Sequence, residues 1–129
     1  MRYLADTVTL VRYFTGTGKL SSLAMSILES ADAGEHEINV SIFTFVEIMY
    51  LSEKKRILIN LDQAIEKIIN SKNYNIVNLS LEILKTSELF KDLELHDRLI
   101  VATAKHMQIP VITCDQEIIN HKAIETVWV

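Results

Sequence analysis

The sequence predicts an α/β fold in which a short central parallel sheet is flanked by helices, and three observations predict it. Short apolar segments alternate with helix-length segments from one end of the chain to the other. The longer segments repeat their apolar residues at spacings of three and four, the period of an amphipathic helix. The chain has 129 residues, 49% hydrophobic and 23% charged, with one Pro and three Gly. That composition suits one domain over residues 1–129, with no linker, internal repeat or low-complexity tract.

Tyr3 to Ala5 read as a first strand ending at Asp6-Thr7, after which Val8, Leu10, Val11 and Phe14 suggest a helix running to Gly16. Leu20, Leu23, Ala24, Ile27, Leu28 and Ala31 form an amphipathic helix ended by Gly34. Glu37 to Val40 alternate as a second strand, and Ser41 is the N-cap expected for a helix from Ile42 to Lys54. Asn60 and Gln63 have capping-box spacing ahead of an apolar stripe, Leu61, Ala64, Ile65, Ile68 and Ile69, with Asp62, Glu66 and Lys67 on the other side. Asn75 to Leu79 read as a third strand, about Leu81 to Phe90 as a helix, and Leu95 to Met107 as a strong helix. Ile109 to Thr113 should be a buried strand and Val127 to Val129 a last one.

No stretch approaches the ~18 uninterrupted apolar residues of a membrane span, and the start MRYLADTVTL puts an acid where a signal peptide keeps an apolar run. A cytoplasmic protein is expected, and the lone Cys114 fits a reducing compartment. Thirteen Lys and Arg stand against 17 Asp and Glu, a formal net charge of −4. This argues against a protein that grips nucleic acid by a dense basic face, though not against an enzyme that meets it through metal ions. The question becomes where the acids sit.

Two sit on apolar helical faces. Glu47 has Phe43 four residues before it and Leu51 four after, and Asp97 shares its face with Ile100, Val101 and Ala104. An unpaired carboxylate in such a place is costly. Arg98, by contrast, has Glu94 at i−4 as a partner. Two further acids, Asp6 and Asp115, follow the carboxyl ends of predicted strands, the edge where open parallel α/β sheets bind ligands. Each acid also has a purely structural reading: Asp6, Asp115 or Asp97 as helix N-caps, Glu47 or Asp97 as a carboxylate satisfied by a backbone amide or an Arg. One common cause accounts for all four, a cation. Carboxylates gathered in one crevice raise one another's pKa unless a counter-charge is present, and hard oxygen ligands without Cys or His favour Mg²⁺ or Mn²⁺ over Zn²⁺.

The text Tyr3-Leu4-Ala5-Asp6-Thr7, Ser41 to Tyr50 with Glu47, Asp97-Arg98-Leu99-Ile100-Val101-Ala102-Thr103-Ala104 and Pro110-Val111-Ile112-Thr113-Cys114-Asp115 resembles the PIN domain, and in length and layout the VapC-type ribonuclease toxins of toxin-antitoxin pairs. These blocks span nearly the whole chain, and the pair D-x-L-I-x-A-T-A and P-V-I-T-x-D is the specific part. The resemblance implies a three-layer PIN-like fold. It also implies a metal-dependent endoribonuclease whose acids Asp6, Glu47, Asp97 and Asp115 are catalytic and hold one or two Mg²⁺ or Mn²⁺ ions, with Thr7 and Thr113 beside them. An RNA substrate, a cognate antitoxin and a homodimer are implied in the same way. The chain departs from the pattern at Arg98, where a small residue is common, at Gln108-Ile109, where a glycine is usual, and at Cys114, where a basic residue is often found. Glu117 lies near a further acid of some members, and otherwise reads as a solvated helix start.

Other chemistries fail on spacing. Gly16-Thr17-Gly18-Lys19 lacks the earlier Gly and the following Ser or Thr of a phosphate-binding loop, His36-Glu37 has Val40 where a zinc-binding second His belongs, and no G-x-S-x-G occurs. The four His residues form no ligand pair and read as surface or satisfied histidines. Lys54-Lys55-Arg56, with Lys67 and Lys72, read as solvated charge ahead of an RNA-facing patch. A phosphate-accepting receiver domain fits less well, since those usually carry adjacent acids after the first strand and here Thr7 follows Asp6. The complete acid set stands against a non-catalytic binding module; an RNA-processing nuclease without a toxin role remains open.

Overall fold

The order of elements puts every strand but the last before a helix, so that the chain returns to lay each new strand parallel to the others. In the computed structural model, which describes residues 1–129, the strands are β1 (Arg2–Ala5), β2 (Glu37–Ser41), β3 (Tyr74–Val77), β4 (Val111–Ile112) and β5 (Thr126–Val127). The helices are α1 (Thr7–Thr15), α2 (Ser22–Asp32), α3 (Ile42–Glu53), α4 (Leu61–Asn70), α5 (Leu81–Ser87), α6 (Leu95–Met107) and α7 (Gln116–Ile119), with a 3₁₀ turn at Glu88–Phe90. All pairings are parallel, in the order β3-β2-β1-β4-β5.

Local chemistry sets the helix ends. Asp6, Ser21, Ser41, Ser80 and Asp115 each accept a backbone N–H of the first helical turn, and Asn60 with Gln63 forms a full capping box. Gly16 closes α1 in the left-handed conformation, φ 68°, its amide donating to Arg12 O.

Side chains alternate across β1 and divide the core between the two faces of the sheet. Tyr3 and Ala5 pack with Leu10, Leu28, Phe45, Ile48 and Ile68 of α1 to α4. Leu4 and Val111 pack with Ile83, Phe90, Ile100 and Ile118 on the side of α5, α6 and α7. The result is three layers, helix, sheet, helix, as the sequence predicts.

The differences lie at strand ends. β3 runs Tyr74–Val77 rather than Asn75 to Leu79, β5 is Thr126–Val127 rather than Val127 to Val129, and β4 is confined to Val111–Ile112. Pro110 has no N–H for the ladder, although its carbonyl still accepts from Leu4 N at 2.9 Å. Beyond β4, the Thr113 side chain leaves the sheet for the site described next.

β1 has β2 on one side and β4 on the other, and the chain leaves β1 toward one and returns much later to the other. Strand order reverses there, so a crevice opens beyond the carboxyl ends of β1 and β4.

Candidate active site

The first acid stands in that crevice because β1 ends there. Asp6 follows Ala5 and is 5% exposed. Its Oδ1 accepts from Thr9 N at 2.9 Å as the cap of α1, and its Oδ2 accepts the hydroxyl of Thr113 from the end of β4. Thr113 Oγ1 in turn accepts from the Asp115 amide at 3.0 Å. Asp115 caps α7, its Oδ1 accepting from Glu117 N at 2.9 Å and Ile118 N at 3.3 Å. The capping role and a place in the crevice therefore coexist in both Asp6 and Asp115. Burial pushes the Asp6 carboxyl above its ordinary value, against the opposing effect of its bonds to Thr113 and Thr9.

Asp97 comes from the first turn of α6, where the N-cap is Glu94. It is 7% exposed and receives no hydrogen bond from protein. Burial, and then the negative charge of Asp115, push its carboxyl up to about 6, with Glu94 and Glu117 adding to the effect and His96 opposing it. Glu117 is exposed on the first turn of α7 and acts on Asp97 through its field.

Glu47 arrives from the middle of α3 and is half-buried. Its Oε1 lies 2.9 Å from Nε2 of His96. Burial alone would raise the Glu47 carboxyl, but the bond and charge of His96, with Thr7 close by, outweigh it and hold the group below its usual value. For His96 burial works downward, and Glu47, Asp97 and Asp6 together raise it. Thr7 Oγ1 lies 3.3 Å from the same Nε2 and donates to Thr44 Oγ1 at 3.2 Å. Thr113 thus bonds directly to Asp6, whereas Thr7 reaches Glu47 through the His96 ring that they share.

His96 is the residue that the sequence reading leaves out of the site. It is neither a surface nor a fully satisfied histidine: Glu47 takes its Nε2, while its Nδ1 is buried with no hydrogen-bond partner. The available signal was its position immediately before Asp97, at the start of an inward-facing helix. Arg98 does not pair with Glu94, whose extended backbone (φ −69°, ψ 162°) lies outside the helix; its guanidinium donates to Ser87 O at 3.2 and 3.3 Å. Near Cys114, where a basic residue is expected from the resemblance, the guanidinium of Arg12 arrives from α1, with Nη1 3.7 Å from Sγ. Lys54, Lys55 and Arg56 are exposed at the far end of α3, about 10 Å along the helix from Glu47. Lys54 lies over the Tyr50 ring and Lys67 over that of Phe14.

The donor types are those a hard divalent cation takes: Asp97 lies in the fields of Asp115 and His96, His96 in those of Glu47 and Asp6, and no Lys or Arg forms an ion pair with any of the four carboxylates. As the side chains stand, no three His, Cys, Asp or Glu groups close into a metal cage, and Glu47 is turned onto His96.

The sequence pattern of the PIN domain matches residues 3–124 of the chain. The chain belongs to the PIN domain family. Solved structures similar to this PIN domain include a toxin-antitoxin complex from Klebsiella pneumoniae, 24% identical with a TM-score of 0.67, covering 97% of this chain and 95% of that one. VapBC2 from Rickettsia felis, bound to a DNA fragment from its promoter, is 18% identical with a TM-score of 0.71 and full coverage of both chains. FitAcB from Neisseria gonorrhoeae is 16% identical with a TM-score of 0.67, covering 96% and 95%. At these identities the likeness concerns the fold. No curated protein matches the chain.

Proposed function

We propose that this PIN domain is a Mg²⁺- or Mn²⁺-dependent endoribonuclease that hydrolyses RNA phosphodiester bonds as the toxin of a toxin-antitoxin pair. The observation that carries the reading is Asp97, a largely buried carboxylate that receives no hydrogen bond from protein and faces the charge of Asp115. A folded chain keeps such a group when something outside the protein supplies the counter-charge. Asp6 and Asp97 are the direct ligands in this reading, and Glu47 and Asp115 complete the site directly or through water. A divalent cation held there would offset charge building on the phosphate and lower the pKa of water so that hydroxide is available as the nucleophile. Thr113 orients Asp6 and the Asp115 loop, and Thr7 stands beside Glu47 against the shared His96 ring.

Structural neighbours solved as toxin-antitoxin complexes support a protein partner. Exposed apolar side chains are available to one: Ile42, Val46 and Met49 of α3 border a groove with Leu61 and Ile65 of α4. An antitoxin would cover apolar surface of this kind and place a basic side chain in the acid crevice, and exposed Leu81 and Leu84 of α5 offer area to a second copy in a homodimer. No helix is long and apolar enough to cross a membrane, in keeping with work on cytoplasmic RNA.

The test is RNA cleavage by the purified chain with Mg²⁺ or Mn²⁺, in the presence and absence of EDTA. Cleavage should need the cation and vanish in Asp97→Asn while the fold persists. Undiminished cleavage by that variant, prepared free of contaminating nuclease, would overturn the reading. Growth arrest on expression, relieved by a small protein encoded alongside, separates a toxin from an RNA-processing enzyme.

A further inference from the structure

We infer that His96 is a positioning residue of this site, holding the Glu47 carboxylate at the crevice by a hydrogen bond from Nε2 so that Glu47 meets the cation in one orientation. The inference rests on the metal-site reading above and names a residue outside the acid set.

Three helices meet at this imidazole. His96 is the second residue of α6 and Asp97 the third, and neighbours on a helix diverge by about 100°, so one backbone segment sends an acid toward Asp115 and a ring toward α3. α3 receives the ring with two side chains one turn apart: Phe43 stacks on it, centroids 5.6 Å apart at 25°, and Glu47 takes Nε2 at 2.9 Å. α1 contributes Thr7 Oγ1 at 3.3 Å from the same nitrogen. The ring therefore couples the helices that carry Asp97 and Glu47 and the one that Asp6 caps.

Two features separate positioning from packing. Nδ1 is buried with no hydrogen-bond partner, a cost that an apolar side chain filling the same space would avoid. The polar function of the ring is therefore concentrated in Nε2, on Glu47 and Thr7. Glu47 needs such a partner, because its side chain is 27% exposed and carries three rotatable torsions, which leave the carboxylate free to turn to solvent. A buried Nδ1 is also out of reach of a substrate, which excludes proton transfer to RNA from that nitrogen.

Mn²⁺ binding to the full chain, measured by calorimetry without RNA, and single-turnover cleavage of an RNA oligonucleotide should be compared for the native protein, His96→Leu, His96→Gln and His96→Asn. Leu fills the space without a donor, the Gln amide can reach Glu47, and the Asn amide falls short. His96→Leu and His96→Asn should bind Mn²⁺ roughly tenfold more weakly and lower kcat more than they change KM, a loss of the size seen when an outer partner of a metal ligand is removed. His96→Gln should recover most of both. Native Mn²⁺ affinity in His96→Leu, or in His96→Asn should the Leu variant not fold, overturns the inference, and so does a Gln variant as weak as Asn. A native chain that neither binds Mn²⁺ nor cleaves RNA overturns instead the metal-site reading on which it rests.

Discussion

The hydroxyl of Thr113 ties two acids together: it donates to Asp6 Oδ2 while its oxygen accepts from the Asp115 amide at 3.0 Å. One side chain at the end of β4 thus registers the acid after β1 against the acid that starts α7. All three atoms are in or beside the buried floor of the crevice, so removing the hydroxyl strands an acceptor and a donor together. Thr113→Val should lower unfolding free energy by about 1–3 kcal/mol, the cost of buried polar groups left unmade, whereas Thr113→Ser keeps the bridge. Urea unfolding of both variants checks this. RNA cleavage should fall in the Val variant and persist in the Ser variant.

The Asp97 carboxyl, pushed up to about 6 by burial and Asp115, makes a pH prediction whose sign runs against the usual surface acid. The folded state holds this proton more tightly than the unfolded chain, whose value is 3.8. Stability from this group is therefore greatest below about pH 4 and is lost as pH rises through 6. Asp97→Asn lacks the titration, so without divalent cations it should be more stable than native at pH 7.5, by about 1–2 kcal/mol once solvent screening is allowed for. The difference should close by pH 4. Melting curves at several pH values decide it, and a variant equally destabilised at all of them would falsify the account. Added Mg²⁺ should raise the native midpoint and leave that of the variant unchanged.

Asp6 separates capping from charge. Its Oδ1 caps α1 through Thr9 N, a job that an Asn carbonyl also performs. Asp6→Asn should keep the fold at neutral pH and lose cleavage, while Asp6→Ala should lose cleavage and about 1 kcal/mol of stability besides. Equal stability of the two variants in denaturant would show that the cap contributes nothing.

Much of this was legible from one-dimensional signals because the physics is local. Asp6, Ser41 and Asn60 act within a few residues, and the apolar period that marks α3 and α6 is set by helix geometry alone. Facing between distant segments was less legible. His96 gains its meaning from Phe43 and Glu47 on another helix, and no spacing rule connects them. Arg98 had the right spacing to Glu94 but not the right backbone, since Glu94 is extended and only residues inside a helix stack at i and i+4. The two-residue strands β4 and β5 exist through their pairing with each other and with β1, so their limits follow from their neighbours more than from their own residues.

The loop after α1 offers a comparison within one segment. Gly16 and Gly18 both have φ 68°, a conformation costing an L-residue about 1 kcal/mol or more. A methyl group on Gly16 meets nothing within 4 Å, but on Gly18 it would fall 2.8 Å from Arg12 Nε. The Arg12 side chain is not free to yield, since Nη1 donates to Lys19 O at 2.8 Å and reaches Cys114 at 3.7 Å. Gly16→Ala should therefore cost about 1 kcal/mol, and Gly18→Ala that amount plus the loss of the Arg12 bond, about 2 kcal/mol or more in total. Arg12→Ala removes the obstacle, so adding Gly18→Ala to it should cost no more than Gly16→Ala does in the native chain. A double-mutant cycle in urea measures the difference, and additive costs would show that the guanidinium moves aside freely. Because Cys114 lies between Thr113 and Asp115, Gly18→Ala should also reduce RNA cleavage, and Gly16→Ala should not.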